Sequence, residues 1–317
     1  MDQALTQSGK SPVSNAPPRA SRGLLAAFAA YLAWGLFPVY FRALRQVSPL
    51  SILAHRIVWS VGFLVLLLAW TGRLRSVRGA LFGPGFRVYL ISTALISSNW
   101  LLFIWAVNAG HVLDSSLGYF INPLMNVVLG IAFLGERLRM PQAVAVALAT
   151  AGVLALTVHL GTVPWISLVL ASTFALYGFV RKSAHIEPFA GLLIETTILL
   201  PFAVFYLGLE AIRGVGMFGP NASTAALLVS TGVVTATPLI WFAVGVRTLR
   251  LSTMGLVQYV SPTSQFLLAV IVYREPFTRA HGVAFACIWL GLVLYTWDAL
   301  RHAAVQGARE RPGRAAA

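Results

Sequence analysis

The sequence predicts an all-α membrane protein with ten transmembrane helices, arranged as two inverted five-helix repeats. Three observations lead to this fold class. Of the 317 residues, 58% are apolar and only 10% are charged, whereas charged residues make up about a quarter of a typical soluble domain. Basic residues are concentrated in every second segment between the apolar stretches. The chain also matches itself at a constant shift of 139 positions, as from Arg42 to Arg181.

Ten apolar segments have the length that a membrane requires. Crossing a hydrocarbon core of about 30 Å takes about twenty helical residues, and we number the segments of this size span 1 to span 10. They are predicted, in order, at residues 23–42, 50–70, 88–107, 113–134, 141–160, 163–180, 188–207, 224–246, 251–273 and 281–299. The predicted domains are a disordered cytoplasmic tail at 1–22, a first repeat at 23–160, a second repeat at 161–300 and a disordered basic cytoplasmic tail at 301–317.

Both termini are predicted to lie in the cytoplasm. With the N-terminus inside, seventeen Lys and Arg residues, Arg181 among them, fall in cytoplasmic segments, five fall on the outer side, and Arg56 is left inside span 2. Such an excess of basic residues is typical of cytoplasmic loops. Two termini on one side require an even number of spans, which ten satisfies.

The high positive charge is explained by the same loops. A formal net charge of +14 would indicate nucleic-acid binding in a soluble protein, but here it is distributed as in a membrane protein, and we expect no nucleic-acid partner. The single Cys287 excludes an internal disulfide, and no His/Cys cluster has the spacing of a zinc site. We therefore expect no metal and no cofactor.

The match of the chain with itself aligns identical proline and glutamate residues without a gap. It carries Pro123 onto Pro262 and Glu136 onto Glu275, and it carries each of spans 1–5 onto one of spans 6–10. Because five is odd, the second repeat must enter the membrane from the opposite face. Inverted repeats are typical of secondary transporters, which bind substrate near the midplane where the repeats meet. A duplication kept only for packing is the alternative.

Charged residues inside spans are the first candidates for a functional site, because an ionisable group in hydrocarbon costs several kcal/mol. Arg56, beside His55, lies in span 2, and the shift superposes Arg56 on Glu195 in span 7. Each charge lies about 9 Å from the start of its span, and the two spans start on opposite faces. The resulting gap in depth of about 12 Å favours two charges that face one central cavity over a fixed salt bridge. A structural ion pair or snorkelling at the helix ends is the alternative.

Polar helix faces supply the other candidates for a cavity lining. Residues three and four apart share one face of a helix, and such a face lies beside Pro123 in span 4 and beside Pro262 in span 9. Amides can simply hold helices together, and tryptophans near helix ends can mark the membrane interface. The full set of predicted lining residues is Tyr31, Trp34, His55, Arg56, Asn99, Trp100, Asn108, Tyr119, Asn122, Asn126, Glu195, Gln258, Tyr259 and Ser261.

Two further carboxylates, Glu136 and Glu275, close spans 4 and 9 beside Arg137 and Arg274. We interpret them as residues that lock the hairpins. No catalytic residue is predicted, because the serines and histidines form no nucleophile and base set that the sequence supports.

Several long motifs resemble one family of transporters. They are His55-Arg56 with Trp59-Ser60, NWLLFIWAVN at 99–108, SLGYFINPL at 116–124, Gly135-Glu136-Arg137, YGFVRK at 177–182, LLIET at 192–196 and RLSTMGLVQY at 250–259. Through them the chain, from Gly23 to Leu300, resembles the EamA-type family of the drug/metabolite transporter superfamily and, within it, the RarD proteins. The resemblance implies a ten-helix, two-repeat transporter of the bacterial inner membrane. It implies no agreed functional residues. Many relatives repeat the Gly-Glu turn after span 9, whereas here Arg274 precedes Glu275.

These observations together predict a secondary transporter, and not an enzyme, that works by alternating access and exports small polar metabolites or drugs. Its expected partners are a small-molecule substrate and the lipid bilayer, and the sequence leaves open whether it is a monomer or a homodimer. The alternative is a membrane-embedded enzyme acting on a lipid-linked substrate. Such an enzyme would need a carboxylate cluster or metal ligands at one membrane face, and the sequence shows only isolated acids.

Overall fold

A computed structural model describes residues 19–72, 86–135, 139–183, 188–214, 218–249 and 251–310. Every regular element within these ranges is helical. In chain order the helices are Arg19–Gly35 and Phe37–Ala43 (span 1), Pro49–Trp70 (span 2), Phe86–Ala109 (span 3), Val112–Leu134 (span 4), Met140–Leu160 (span 5), Trp165–Ser183 (span 6), Pro188–Ile212 (span 7), Ala222–Thr248 (span 8), Leu251–Val257 and Val260–Leu267 with the π-helical turn Leu268–Val272 (span 9), and Arg279–Glu310 (span 10).

The prediction of an all-helical, multi-pass membrane protein is confirmed. In the described part of the chain, nine helices are long and apolar enough to cross a membrane, and a shorter apolar helix, Trp165–Arg181, occupies the position of span 6. Span 7 continues beyond its predicted end to Ile212. Span 10 continues to Glu310, into the segment that the sequence assigns to the C-terminal tail.

Local sequence signals set many of the helix ends. Ser48 caps span 2 by accepting a hydrogen bond from the Ser51 N–H at 3.1 Å, and Pro49 follows at the first helical position, where its missing N–H is not needed. Gly135 ends span 4 in the left-handed conformation, with φ 63°. Arg274 adopts this conformation after span 9, at φ 54°, and it is the one non-glycine residue with positive φ among those the structure describes. By the shift of 139, Arg274 is the equivalent of Gly135.

Spans 5 and 10 pack closely against each other. A Cβ added at Gly152 would lie 3.0 Å from the carbonyl oxygen of Ala284, and one added at Gly291 would lie 2.8 Å from that of Ala145. The shift of 139 exchanges these two contacts, since it carries Gly152 onto Gly291 and Ala145 onto Ala284. Glycine is therefore what lets the two backbones cross at these points.

The other eight spans form the rest of the bundle. Span 1 packs on spans 8 and 9, span 2 on spans 7 and 8, span 3 on spans 6 and 7, and span 4 on spans 6 and 9. Spans 2 and 8 approach closely at Gly232, where an added Cβ would collide with the carbonyl of Trp59.

Spans 1 and 9 are interrupted, and the interruptions are neighbours. Span 1 breaks at Leu36 just before Pro38, and span 9 breaks at Gln258 and Tyr259 just before Pro262. A proline cannot donate to the carbonyl four residues earlier. The amide of Gln265 in span 9 approaches the Trp34 carbonyl that Pro38 leaves free, with Nε2 3.4 Å from the oxygen. Span 4 contains Pro123 and nevertheless runs as one helix.

Candidate functional site

Arg56 lies in the interior of the bundle, about 10 Å from the start of span 2, and only 4% of its surface is exposed. Its guanidinium stacks on the ring of Trp100, with Cζ 3.9 Å from the ring centroid. Phe41 and Phe37 of span 1 lie at 5.7 and 5.8 Å from the same atom. Nε donates a hydrogen bond of 2.9 Å to Thr235 of span 8. Contacts of a guanidinium with aromatic faces are favourable, most of all with tryptophan.

Two tyrosines complete this environment, which we call the Arg56 cluster: Phe37, Tyr40, Phe41, Arg56, Trp100, Tyr119 and Thr235. The hydroxyls of Tyr40 and Tyr119 lie near the guanidinium of Arg56. The Tyr40 hydroxyl donates to the carbonyl of Leu227 in span 8 and lies 3.0 Å from the Ser230 hydroxyl. The cluster therefore draws on spans 1, 2, 3, 4 and 8 and joins the two halves of the chain.

Glu195 is fully buried in span 7 and belongs to a different group, the Glu195 cluster of Ser92, Tyr177, Arg181 and Glu195. Its Oε2 lies 3.5 Å from a terminal nitrogen of Arg181 and accepts a hydrogen bond of 3.1 Å from Tyr177. Arg181 also donates to the Tyr177 hydroxyl, and Ser92 of span 3 lies against the carboxylate. Arg56 and Glu195 therefore form no ion pair with each other. The hypothesis that both face one cavity stays a prediction.

The amide face of span 4 contacts span 6. Asn122 is 9% exposed and donates from Nδ2 to the carbonyl of Ala171 at 3.2 Å, while its Oδ1 accepts a long bond of 3.4 Å from Asn126, which is exposed. The bond from Asn122 to Ala171 holds spans 4 and 6 together, as amides in membrane proteins often do, whereas the bond from Asn126 lies within span 4. A role in lining a cavity stays a prediction for both residues.

The polar residues of span 9 lie at its break. Gln258, Tyr259 and Ser261 are half-buried. The Gln258 carbonyl, which Pro262 cannot bond, accepts from the Ser261 N–H at 3.2 Å. Tyr259 interacts with the side chains of Gln258 and of Thr296 in span 10. Discontinuous helices of this kind build the substrate sites of many secondary transporters.

Span 3 places its candidates in separate surroundings. Asn99 is buried and donates to the carbonyl of Leu170 at 3.0 Å and to the hydroxyl of Thr173 at 2.9 Å, both in span 6. Both amide atoms of Asn108 are buried and have no hydrogen-bond partner among the described residues. Trp100 is in the Arg56 cluster.

The remaining candidates lie in spans 1 and 2. Tyr31 and Trp34 form an aromatic group with Phe242 of span 8, with ring centroids 5.3 to 5.9 Å apart. His55 is buried, accepts a hydrogen bond of 3.3 Å from the Trp59 indole and lies beside Phe218. Of the fourteen predicted residues, Arg56, Trp100 and Tyr119 are thus brought together in one cluster.

Glu275 lies beyond span 9, where it binds the N-terminus of span 4 and not its own hairpin. Its two oxygens accept hydrogen bonds from the N–H groups of Val112 at 2.9 Å and Leu113 at 2.7 Å. Burial raises the pKa of the Glu275 carboxyl, and the two N–H donors oppose that rise. A carboxylate at a helix N-terminus accepts hydrogen bonds from free N–H groups and interacts favourably with the helix dipole. Glu136, the equivalent residue in the first half, lies outside the described residues.

Seven residues of these clusters are not among those predicted from the sequence: Phe37, Tyr40, Phe41, Ser92, Tyr177, Arg181 and Thr235. Arg181 was counted as a loop charge because it ends an apolar stretch. The spacing of Tyr177 and Arg181, four residues apart on one helix face, was the available signal that Arg181 turns inward. Tyr40 and Thr235 carry no such signal, because one tyrosine and one threonine in an apolar helix are unremarkable.

Known proteins resemble this chain over nearly its whole length. The profile of the EamA-like transporter family matches residues 21–158. An uncharacterized transporter of Vibrio cholerae is 46% identical over 289 residues, which cover 90% of this chain and 96% of that protein. Protein RarD of Salmonella typhi is 46% identical over 282 residues, with coverage of 88% and 96%. One solved crystal structure, 19% identical, covers 87% of this chain and 98% of its own with a TM-score of 0.56, which shows a common fold.

Proposed function

The chain belongs to the EamA-like transporter family, and from this premise we propose that it is a secondary transporter that exports small polar metabolites or drugs by alternating access. The observation that carries this proposal is the Arg56 cluster. A buried cation in a membrane protein is costly and marks a ligand or ion path by default. Here it lies where spans from both halves of the chain converge.

The proposed architecture is a pair of inverted repeats, residues 23–160 and 161–300, each with five spans. The pattern of helix contacts supports it, because exchanging each of spans 1–5 with its counterpart among spans 6–10 turns the nine packed pairs described above into one another. Thus the pair of spans 1 and 8 becomes that of spans 6 and 3. The reciprocal contacts of Gly152 with Ala284 and of Gly291 with Ala145 support it at atomic detail.

The protein is proposed to lie in the bacterial inner membrane with both termini in the cytoplasm. The excess of Lys and Arg in alternate loops supports this orientation. In it, the Arg56 cluster belongs to the outer half of the membrane and the Glu195 cluster to the inner half. The segments 1–22 and 301–317 are then cytoplasmic tails.

We assign the substrate pathway to the fourteen residues predicted from the sequence, centred on the Arg56 cluster. The half-buried side chains of Gln258 and Tyr259 at the break of span 9 and the unpartnered amide of Asn108 support the inclusion of these residues, because transporter sites are built at discontinuous helices and free amide groups offer hydrogen bonds to a polar substrate. The alternative of a membrane-embedded enzyme is not favoured. The relative from Vibrio cholerae is named a transporter, and the described residues include no group of three or more His, Cys, Asp or Glu side chains that could hold a metal ion.

Counterflow in liposomes tests the proposal. Purified protein would be reconstituted into liposomes loaded with unlabelled compound and then supplied with labelled amino acids, labelled chloramphenicol or an isotope-labelled extract of small metabolites. We expect saturable accumulation of at least one compound in liposomes with the protein and none in empty ones. Leu66→Ala, which alters a side chain that is 72% exposed on the bundle surface, is the matched control and should behave as the wild type. If no compound accumulates above the level in empty liposomes, the protein is not such a transporter.

A further inference from the structure

Two buried charges of the bundle, Glu195 and Arg56, differ in what balances them. Glu195 has a guanidinium within 3.5 Å. Arg56 has no such partner, since no carboxylate of the described residues lies within the 4.0 Å that defines an ion pair. Its protein contacts are aromatic rings and one neutral hydroxyl, that of Thr235. Arg56 is therefore a buried cation without a counter-charge in the described part of the protein.

Neutral contacts compensate such a cation only in part. A buried charge is normally paired and fully hydrogen-bonded, because the desolvation of an ion is worth far more than a cation–π contact. Arg56 carries five N–H donors, and the hydrogen bond to Thr235 uses the one on Nε. The two terminal nitrogens remain as a planar fork, which matches the two oxygens of a carboxylate.

We propose that Arg56 binds the carboxylate of the transported molecule, and that the substrates are organic monocarboxylates with an apolar body. This inference rests on the proposed transport function and specifies its substrate. The carboxylate supplies the missing charge to the two terminal nitrogens of Arg56. Tyr119, which lies near the guanidinium, is placed to donate a further hydrogen bond, whereas the single hydroxyl proton of Tyr40 is donated to the Leu227 carbonyl. The apolar body lies against the rings of Phe37, Phe41 and Trp100.

The charge of the cluster selects this class over others. One guanidinium neutralises one negative charge, so a phosphate dianion would leave an unbalanced charge among aromatic rings. A cationic drug would meet repulsion from Arg56. A zwitterion would bring an ammonium group for which the Arg56 cluster holds no carboxylate. A monocarboxylate leaves the site neutral, which is the least costly state in an apolar environment.

Matched pairs of ligands and variants test this inference. The probes are a set of aryl and alkyl monocarboxylates, each compared with its primary amide, which has the same shape and no charge. Binding is measured as thermal stabilisation of the purified protein in detergent, and transport as counterflow in liposomes. The variants are Arg56→Gln, Arg56→Lys and, as a control for loss of one positive charge, Arg87→Gln at the exposed start of span 3.

We expect at least one carboxylate to bind about tenfold or more tightly than its amide, as a charge-assisted hydrogen bond predicts. Arg56→Gln should abolish this preference, Arg56→Lys should weaken it because a lysine cannot form the bidentate contact, and Arg87→Gln should retain it. The inference is overturned if no carboxylate is preferred over its amide, or if Arg56→Gln keeps the preference.

Binding and transport separate the two proposals. Should the protein exchange only neutral or cationic compounds, the transport function stands and the carboxylate site is wrong. Should carboxylates bind through Arg56 without being exchanged, the site stands and the transport function is wrong. If the protein neither binds carboxylates through Arg56 nor exchanges any compound, both the carboxylate site and the transport function are wrong.

Discussion

The two halves of the chain, aligned by the shift of 139, agree where backbones cross and differ where polar side chains are buried. Gly152 and Gly291 make reciprocal contacts between spans 5 and 10. Arg56 and Glu195, which are also equivalent, carry opposite charges and have different surroundings. The crossing points are fixed because any added atom would strike a carbonyl. The polar positions differ, so that one half of the chain buries a guanidinium among aromatic rings and the other buries a carboxylate beside a guanidinium.

A second difference concerns continuity of the helices. Spans 4 and 6 are unbroken, and side-chain bonds such as that from Asn122 to the Ala171 carbonyl hold them together. Their counterparts, spans 9 and 1, are both broken, and the side-chain bond between them is the long one from Gln265 to Trp34. Backbone rotation takes least energy where helical hydrogen bonds are already missing. We therefore expect spans 1 and 9 to move against a more rigid pair of spans 4 and 6.

The comparison of the two halves would be invalid if the two repeats did not have opposite orientations in the membrane. We expect alkaline phosphatase fused after Gly161 to be active, because the loop after span 5 lies outside in the proposed topology. The same enzyme fused at the C-terminus should be inactive, while a fluorescent protein there should fold. An active C-terminal phosphatase would rule out the ten-span arrangement.

The charge swap Arg56→Glu with Glu195→Arg is expected to abolish transport and to rescue neither single reversal. Glu195→Arg would place a second guanidinium beside Arg181, and Arg56→Glu would place a carboxylate among aromatic rings. The contrasting swap, Arg181→Glu with Glu195→Arg, keeps the pair together and should recover more folded protein than either of its single changes. Yield of monodisperse protein and counterflow are the two measurements. Recovery of transport in the first swap would show that Arg56 and Glu195 act as a pair.

Neutralising one charge should lower the stability of the protein at the Glu195 cluster but not at the Arg56 cluster. Arg181→Gln leaves Glu195 buried without its cation, and losing one member of a buried pair costs about 3 kcal/mol. The double variant Arg181→Gln, Glu195→Gln should regain part of this. Arg56→Gln removes a charge that has no carboxylate partner in the described structure, so without ligand it should melt at or above the temperature of the wild type. A melting temperature of Arg56→Gln well below that of Arg181→Gln would show that Arg56, and not Glu195, has the stabilising partner.

Alanine at the crossing glycines should destabilise the two halves alike. The added Cβ of Gly152→Ala or Gly291→Ala would lie 3.0 or 2.8 Å from a carbonyl oxygen of the partner helix, and overpacking of this kind costs about 1–3 kcal/mol. Gly282→Ala, also in span 10, is the control, since its Cβ would come no closer than 3.8 Å to a side chain. Thermal melting in detergent measures all three. Equal melting of the control and the two variants would remove the evidence for a tight crossing.

The smallest expected effect is a difference in thiol reactivity between span 9, which is broken, and span 4, which is continuous. In a Cys287→Ser background, Gln258→Cys and Asn122→Cys should both react with a small water-soluble thiol reagent if both line an aqueous cavity. We expect Gln258→Cys, at the break of span 9, to react severalfold faster. Lack of reaction at both, with a labelled control at the mouth of the bundle, would make these amides packing residues.

The all-helical, multi-pass character of the protein and the positions of most helices followed from the sequence, because apolar length alone decides what can cross a bilayer. Span 5, predicted at 141–160, begins at Met140 and ends at Leu160. The partners of buried charges did not follow. Hydropathy places Arg181 at the end of a span, but only the packing of span 6 on spans 3 and 4 and the turn of its side chain decide that it meets Glu195. The breaks at Leu36 and Gln258 were equally hidden, since Pro123 shows that a proline in a span does not always interrupt it.

The contact of Glu275 with the N-terminus of span 4 has a consequence for the order of events during biosynthesis. Val112 and Glu275 are 163 residues apart, a stretch that takes about 8–30 s to translate at 5–20 residues per second. For that time the first N–H groups of span 4 are without the carboxylate that binds them in the finished protein. The first five spans can therefore be inserted early, but the contact at the N-terminus of span 4 cannot form until Glu275 has been made. Glu275 lies in the loop between spans 9 and 10. Its contact with span 4 is therefore a late folding step, which follows the synthesis of nearly the whole chain.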